Sequence, residues 1–225
     1  YHRTSKGGGE WQCFDLPEEW QIHYSLTINK ELTVHLKPFS FKHTGLFPEQ
    51  AANWDWLSKL FQDKVKKGHH VKVVNLFAYT GGATLAAAAA GASVTHVDAS
   101  KGRVAWAKEN ARSSGLEDAP IRWLVDDCVK FVEREIRRGN TYDAIIMDPP
   151  SYGRGPKGEI WKIEDMIHPL VKLCAQILSK DALFFLINSY TTGLAPAVLT
   201  YLIATELKDW GGHVESQEIG LPVRN

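Results

Sequence analysis

Acidic residues hold the positions in this chain where chemistry is easiest to place: Asp98, the pair Asp126 and Asp127, and Asp148. Each closes a short apolar run, in "SVTHVD", "IRWLVDD" and "YDAIIMD", so each falls at the end of a strand-like segment. A carboxylate only accepts hydrogen bonds, which suits the two hydroxyls of a ribose or the amino group of a base. Asp98 comes 17 positions after Gly81, about where an acid meets a ribose diol in dinucleotide folds. A helix-capping role at that point is better served by Ser100. Asp126 and Asp127 offer acceptors for an adenine amino group. Asp148 opens "DPPSYGRGPKG", where two prolines stiffen the backbone that presents it.

A second cluster precedes these acids. In "NLFAYTGGATLAAAAA", Gly81 and Gly82 occupy a tight strand-to-helix turn where a backbone can approach a ligand closely. Glycine-containing turns are common, so this one names no ligand by itself. A nicotinamide dinucleotide would need G-x-G-x-x-G to hold its pyrophosphate, and Thr80-Gly81-Gly82-Ala83-Thr84-Leu85 lacks that spacing. A cofactor with ribose and adenine but no phosphate fits better, and S-adenosylmethionine has that composition.

The elements that must position these residues are legible in the rhythm of the chain. From Val71 onward "VKVVNLF", "SVTHVD", "IRWLVDD", "YDAIIMD" and "ALFFLINS" alternate with helix-length segments. That is a βαβ pattern, predicting an α/β, Rossmann-like, doubly wound and mostly parallel sheet with ligand groups at the carboxyl ends of its strands. The run Leu85 to Ala90 reads as a helix whose small side chains pack close to the sheet. Before it, "EWQCFDL", "EWQIHYS" and "LTVHLKPFS" alternate apolar and polar residues, predicting a β-rich segment over 1–44 ahead of a main domain over 45–225. A helix follows, with Trp54, Trp56, Leu57, Leu60 and Phe61 on roughly one face. One strand-like segment follows the last helix, so the sheet is expected to lack its last strand. A start at Tyr1 rather than methionine points to a piece of a longer protein.

Bulk properties exclude some partners. Lysine plus arginine and aspartate plus glutamate balance at 26 each, so no global basic field announces a nucleic acid, and any such contact must be local. The longest apolar stretch, around Thr84 to Ala90, is far short of the roughly 20 residues that span a bilayer, and no membrane partner is expected. Cys13, Cys128 and Cys174 are odd in number and form no C-x-x-C, which favours a reducing, cytoplasmic setting and a buried structural role for each. His69 and His70 have no partners at metal-ligand spacing, and no metal is expected.

Taken together, "NLFAYTGGATLAAAAAGASVTHVDASKGRVAWAKENARSSGL", "VDD", "DPPSYGRGPKGEIWK" and "NSYTTGL" resemble the class I S-adenosylmethionine-dependent methyltransferases. The likeness is to the branch with bacterial large-subunit rRNA cytosine-C5 and guanine-N7 enzymes, and runs from about Lys42 to the C-terminus. It implies a methionine-side loop from Asn75 to Thr84, including Phe77, Tyr79, Thr80, Gly81 and Gly82. It implies a ribose site at Asp98 with Ala99 and Ser100, and an adenine site at Asp126 and Asp127. "TGLFPEQ" resembles the segment those enzymes place over the cofactor, making Phe47 and Gln50 lid contacts; the residues alone read equally well as a turn into the tryptophan-bearing helix.

On the acceptor side, the resemblance implies that Asp148 and the neighbouring backbone at Pro149 take hydrogen bonds from a planar nitrogen group, with Tyr152 stacking on an extruded base. Ser151 intervenes before the ring, unlike the usual amino-directed enzymes but like the rRNA enzymes. Cytosine-C5 methylation needs a thiolate. The segment matching the cysteine of those enzymes reads "FFLINSYTTG" and offers Asn188, Ser189 and Tyr190 instead. A nitrogen acceptor is therefore favoured. Arg154 and Lys157 beside the acceptor loop, and Lys64, Lys66, Lys67 and Lys72 elsewhere, are candidate phosphate contacts or plain solvated surface. The reading is an S-adenosylmethionine-dependent methyltransferase acting on a base nitrogen in RNA, rRNA foremost. The alternatives are an RNA-binding or assembly module that keeps the fold without catalysis, and a methyltransferase with another substrate.

Overall fold

The computed structural model describes residues 1–4, 9–39, 43–154 and 158–221. Two antiparallel pairs come first: β1 (His2–Arg3) with β2 (Gly9–Glu10), then the hairpin of β3 (Trp20–Leu26) and β4 (Lys30–Leu36). "EWQIHYS" and the front of "LTVHLKPFS" are strands as expected. "EWQCFDL" is not: beyond Glu10 it forms no strand. Phe14 is 74 % exposed, so its alternating pattern has no apolar surface to pack against.

Next come a short 3-10 turn (Pro48–Gln50), α1 (Ala51–Lys66), β5 (Lys72–Leu76), α2 (Gly82–Ala89), β6 (Ser93–Asp98), α3 (Lys101–Ser113), β7 (Ile121–Val125), α4 (Cys128–Arg138) and β8 (Ala144–Met147). A two-stranded ribbon of β9 (Tyr152–Arg154) and β10 (Ile160–Lys162) precedes α5 (Ile163–Ala175), β11 (Phe184–Ile187) and α6 (Pro196–Glu206). No further strand follows among the described residues. The central sheet has the order β11-β8-β5-β6-β7, and every pairing in it is parallel. This is the Rossmann-like, doubly wound architecture expected, with all five strands where the apolar runs put them.

A strand with helices on both sides must be apolar on both faces, and β8 is, with all four of its residues buried. Ile146 and Val73 enter a core with Leu57, Phe61 and Leu85 from α1 and α2, while Ile145 and Val74 enter the opposite core with Phe131, Ile167 and Leu170 from α4 and α5. In α2, Leu85, Ala86 and Ala87 are fully buried, the close helix-to-sheet packing that small side chains allow. The face of α1 is less regular than its pattern: Trp54, Leu57 and Phe61 are buried, but Trp56 is 49 % exposed and lies against Phe184 of β11. The β3–β4 hairpin joins the same core through Leu26 and Leu32. Asn110 and Ser114, on or just beyond α3, hydrogen-bond its backbone, and Trp106 Nε1 donates to the His35 carbonyl.

Candidate active site

In this strand order, β5 and β8 lie side by side while the chain leaves them in opposite directions, so a crevice opens outside their carboxyl ends. That crevice is a half-open cleft at the sheet's carboxyl edge. Phe47, Gln50, Trp54, Asn75, Phe77, Tyr79, Thr80, Gly82, Asp148 and Asn188 all line it. Nine of these ten were singled out from sequence; Trp54 was read only as a core residue.

The loop from β5 to α2 is conformationally strained. Phe77 and Tyr79 have φ of 54° and 52°, a left-handed conformation that bulky side chains avoid and that clusters at functional sites. The strain is held from several directions. The Tyr79 N–H donates to Asp98 Oδ2 at 3.0 Å, the Phe77 N–H to Cys128 Sγ at 3.3 Å, and Thr80 Oγ1 to the Gly45 carbonyl at 2.6 Å. Gly81 takes φ of 92°, and Gly82 lies where a Cβ would come within 2.5 Å of the Trp54 ring. Within the cleft, the Asn75 Nδ2 group donates to Thr84 Oγ1 at 3.0 Å, and that hydroxyl is 3.0 Å from Nδ1 of the fully buried His96. Burial pushes the His96 imidazole down to about 3, so it stays neutral.

The other acids are arranged less simply. Asp98 is 4 % exposed, and burial raises its carboxyl above the usual range. Its Oδ1 accepts from the Ser100 N–H at 2.8 Å, so it braces both the strained loop and the start of α3, which Ser100 caps. Asp98 does not line the cleft, yet each of its oxygens keeps a second lone pair. Ala99 and Ser100 lie beside it, outside the cleft lining. Asp127 caps α4 by accepting from the Lys130 N–H, and Asp126 accepts from the Asp127 N–H while pairing with Arg134. These two acids are set at the end of β7, away from the cleft lining.

On the acceptor side, Asp148 leaves β8 toward the cleft, with Pro149 buried behind it. Burial, and secondarily the Glu49 carboxylate, push its carboxyl up to about 7. A chain of side chains crosses from the 3-10 turn and α1 to the loop after β11. Tyr190 donates to Glu49 Oε1 at 2.7 Å and accepts from Gln50 Nε2 at 2.8 Å, while Asn53 Nδ2 donates to Gln50 Oε1 and, at 3.0 Å, to Asn188 Oδ1. Phe47 lies between the rings of Tyr79 and Tyr190, at 5.6 and 5.1 Å. The Phe47–Gln50 segment therefore borders the cleft and also leads into α1. Sequence reasoning missed Glu49 and Asn53; their only signal is that Asn53 follows Glu49 and Gln50 by about one helical turn.

Tyr152 is 53 % exposed beside this loop. Arg154 is exposed too, and Lys157 lies outside the described residues. Lys64, Lys66 and Lys67 end α1 and, with Lys72, sit at the amino ends of the strands, opposite the cleft, where they suit a helix C-terminus. Cys128 and Cys174 are buried, and burial raises both thiols, which makes them poor nucleophiles. Cys13 is exposed, against the expectation of burial, because it lies in the stretch that forms no strand. His69 and His70 are exposed.

No lysine or arginine lines the cleft; aromatic rings, amides and one carboxylate do. That donor set suits a cationic ligand without phosphates, since ring faces and carboxylates attract positive charge. A family model described as S-adenosylmethionine-dependent methyltransferase matches residues 2–207. The chain belongs to that family. A methyltransferase structure from Agrobacterium tumefaciens, described as SAM dependent, superimposes with a TM-score of 0.82 at 42% identity, covering 91% of this chain and 64% of that one. SMU.776, solved with SAH, matches at a TM-score of 0.70 and 26% identity, over 88% of this chain and 48% of its own. The chain is also 31% identical over 180 residues, 75% of its length, to the ribosomal RNA large subunit methyltransferase K/L of Shewanella frigidimarina. It spans 23% of that relative. The chain thus carries the Rossmann-like sheet its sequence predicts, within the S-adenosylmethionine-dependent methyltransferase family.

Proposed function

We propose that this methyltransferase modifies a base nitrogen in RNA, with ribosomal RNA the first candidate. The observation that carries the reading is that Asp148 and Asn188 directly follow the paired ends of the neighbouring strands β8 and β11 and both line the cleft. The Asn188 carbonyl oxygen is taken by Asn53, which leaves its NH2 to donate, while Asp148 offers an acceptor. A donor beside an acceptor matches the edge of a heterocyclic base that carries an N–H next to a lone pair. The matched relatives named for ribosomal RNA support this choice of substrate.

S-adenosylmethionine supplies an activated methyl group on a sulfonium, and displacement by a nitrogen lone pair needs no covalent enzyme intermediate. The task of the chain is placement, which can lower a barrier by about 7–11 kcal/mol at best. Asn75, Tyr79 and Asp98 hold the donor side, the first through its amide and the others through the braced loop. Asp148, Asn188 and the exposed Tyr152 ring hold the acceptor side, where Tyr152 can stack on a base brought out of its helix. Phe47 and Gln50 bridge the two halves and exclude water from the cleft. Absence of a placed thiol fits a nitrogen rather than a carbon acceptor.

Transfer of labelled methyl from S-adenosylmethionine to rRNA lacking the modification tests the reading. The wild-type chain is expected to label RNA, and Asp148→Asn to lose the label while binding the cofactor normally. Labelling of a protein or small molecule instead, with none of RNA, would overturn it.

A further inference from the structure

The ribbon of β9 and β10 interrupts the usual passage from strand to helix, and its two faces differ sharply. Its register pairs Tyr152 with Lys162, Gly153 with Trp161 and Arg154 with Ile160. Residues opposite one another in an antiparallel pair share a face, and successive pairs alternate. Gly153 and Trp161 form the inner face. Trp161 is 8 % exposed, its Nε1 donates to the Pro150 carbonyl at 2.6 Å, and its ring packs on Phe77 of the strained loop at 4.9 Å. The Ile163 N–H donates to the Ser151 carbonyl, so the ribbon is fixed at its base to the Asp148-Pro149-Pro150-Ser151 loop. A two-stranded ribbon is marginal alone, and here one tryptophan anchors it.

The outer face has no protein partner among the described residues. Tyr152 and Ile160 are 53 % and 59 % exposed, and Arg154 and Lys162 are exposed between them. Arg154 and Tyr152 lie two residues apart on β9, so their side chains share this face. Glu159, next to Ile160, is engaged by Lys130. An aromatic ring and an aliphatic side chain alternating with two cations is the combination that single-stranded nucleic acid needs: flat or apolar surface for bases, positive charge for phosphates. A protein partner would be expected to want a larger apolar centre and fewer free cations.

We propose that the outer face of the β9–β10 ribbon docks the single-stranded RNA that runs from the target nucleotide, with Tyr152 on the target base itself, Ile160 against the neighbouring base and Arg154 and Lys162 against phosphates. This rests on the RNA reading above. The ribbon then aligns the strand so that the target base enters beside Asp148, which its own anchor, Trp161, helps to hold in place. It also gives a nearly neutral chain the local basic contact that its composition requires if RNA is the substrate.

The test compares the full wild-type chain with Arg154→Gln/Lys162→Gln and Ile160→Ser, using a short fluorescein-labelled single-stranded RNA followed by anisotropy at several salt concentrations. Calorimetric S-adenosylmethionine binding is measured in parallel to verify that each variant is folded. The double variant is expected to weaken RNA binding and to reduce the slope of log affinity against log salt by about 1.4, roughly 0.7 for each lost phosphate contact. Ile160→Ser is expected to weaken binding with the slope unchanged. If the wild type binds RNA and the double variant matches it in affinity and slope, the ribbon is not the docking surface and the RNA reading stands. If the wild type binds no RNA at low salt, both fail.

Discussion

At the scale of single residues, Asp148 sets a measurable pH dependence. Its carboxyl is raised to about 7 by burial and by Glu49, and only the ionised form is an acceptor at both oxygens with no O–H of its own. Methyl transfer to an N–H-bearing base should therefore rise with pH through about 7 in kcat/KM, the parameter that reports the free enzyme. Glu49→Gln removes a negative charge and should shift that midpoint downward; an unmoved midpoint would assign the titration to another group. The buried Asn75–Thr84–His96 chain makes a second prediction. Thr84→Val leaves two buried polar groups without their partner, at about 1–3 kcal/mol. Cofactor affinity should fall accordingly, and Thr84→Ser should restore it. Residue types made some cleft-lining positions legible, Asp148 and Asn188 among them. Glu49 and Asn53 escaped because their role comes from where α1 begins relative to the loop after β11, a long-range relation that local spacing does not encode. Asp98 was recognised as important, but its bracing of the Tyr79 and Ser100 backbone depends on a loop conformation no pattern predicts.

At the scale of elements, apolar period identified the five parallel strands because each packs apolar side chains against the cores and is flanked by turn residues. The same rule overreached at Glu10–Leu16, where alternation exists without a surface to receive it. The ribbon of β9 and β10 went unseen, since three-residue strands carry too little period to register. The turn between β5 and α2 yields a prediction that belongs to this scale. Gly82→Ala would put a Cβ 2.5 Å from the Trp54 ring, an overpacking that costs about 1–3 kcal/mol. A melting temperature lower by roughly 2–4 °C per kcal/mol should follow in a chain of this size. Trp54→Phe in the same background should recover part of the loss; no recovery would place the clash elsewhere.

At the scale of the whole molecule, the β3–β4 hairpin lies ahead of the parallel sheet in sequence yet shares its core. Leu26 and Leu32, 3 % and 0 % exposed, pack with the α1 and α2 side of the sheet. Deleting residues 1–44 should therefore uncover apolar surface on α1 and α3, lower the denaturation midpoint and promote aggregation. An undiminished midpoint would mean the segment folds as a separate unit.

The central position of β5 has a further consequence. Because β5 is hydrogen-bonded to β6 on one side and β8 on the other, Asn75 and Asp148 leave neighbouring strands whose axes the ladder holds roughly 4.8 Å apart. The backbone thus acts as a fixed ruler between the donor half, β5 to β7, and the acceptor half, β8 to β11. Loops on the acceptor half can diverge without disturbing that interval. Transplanting the β9–β10 ribbon and the segment after β11 from a relative with a different target should therefore redirect substrate choice while leaving cofactor affinity where it was.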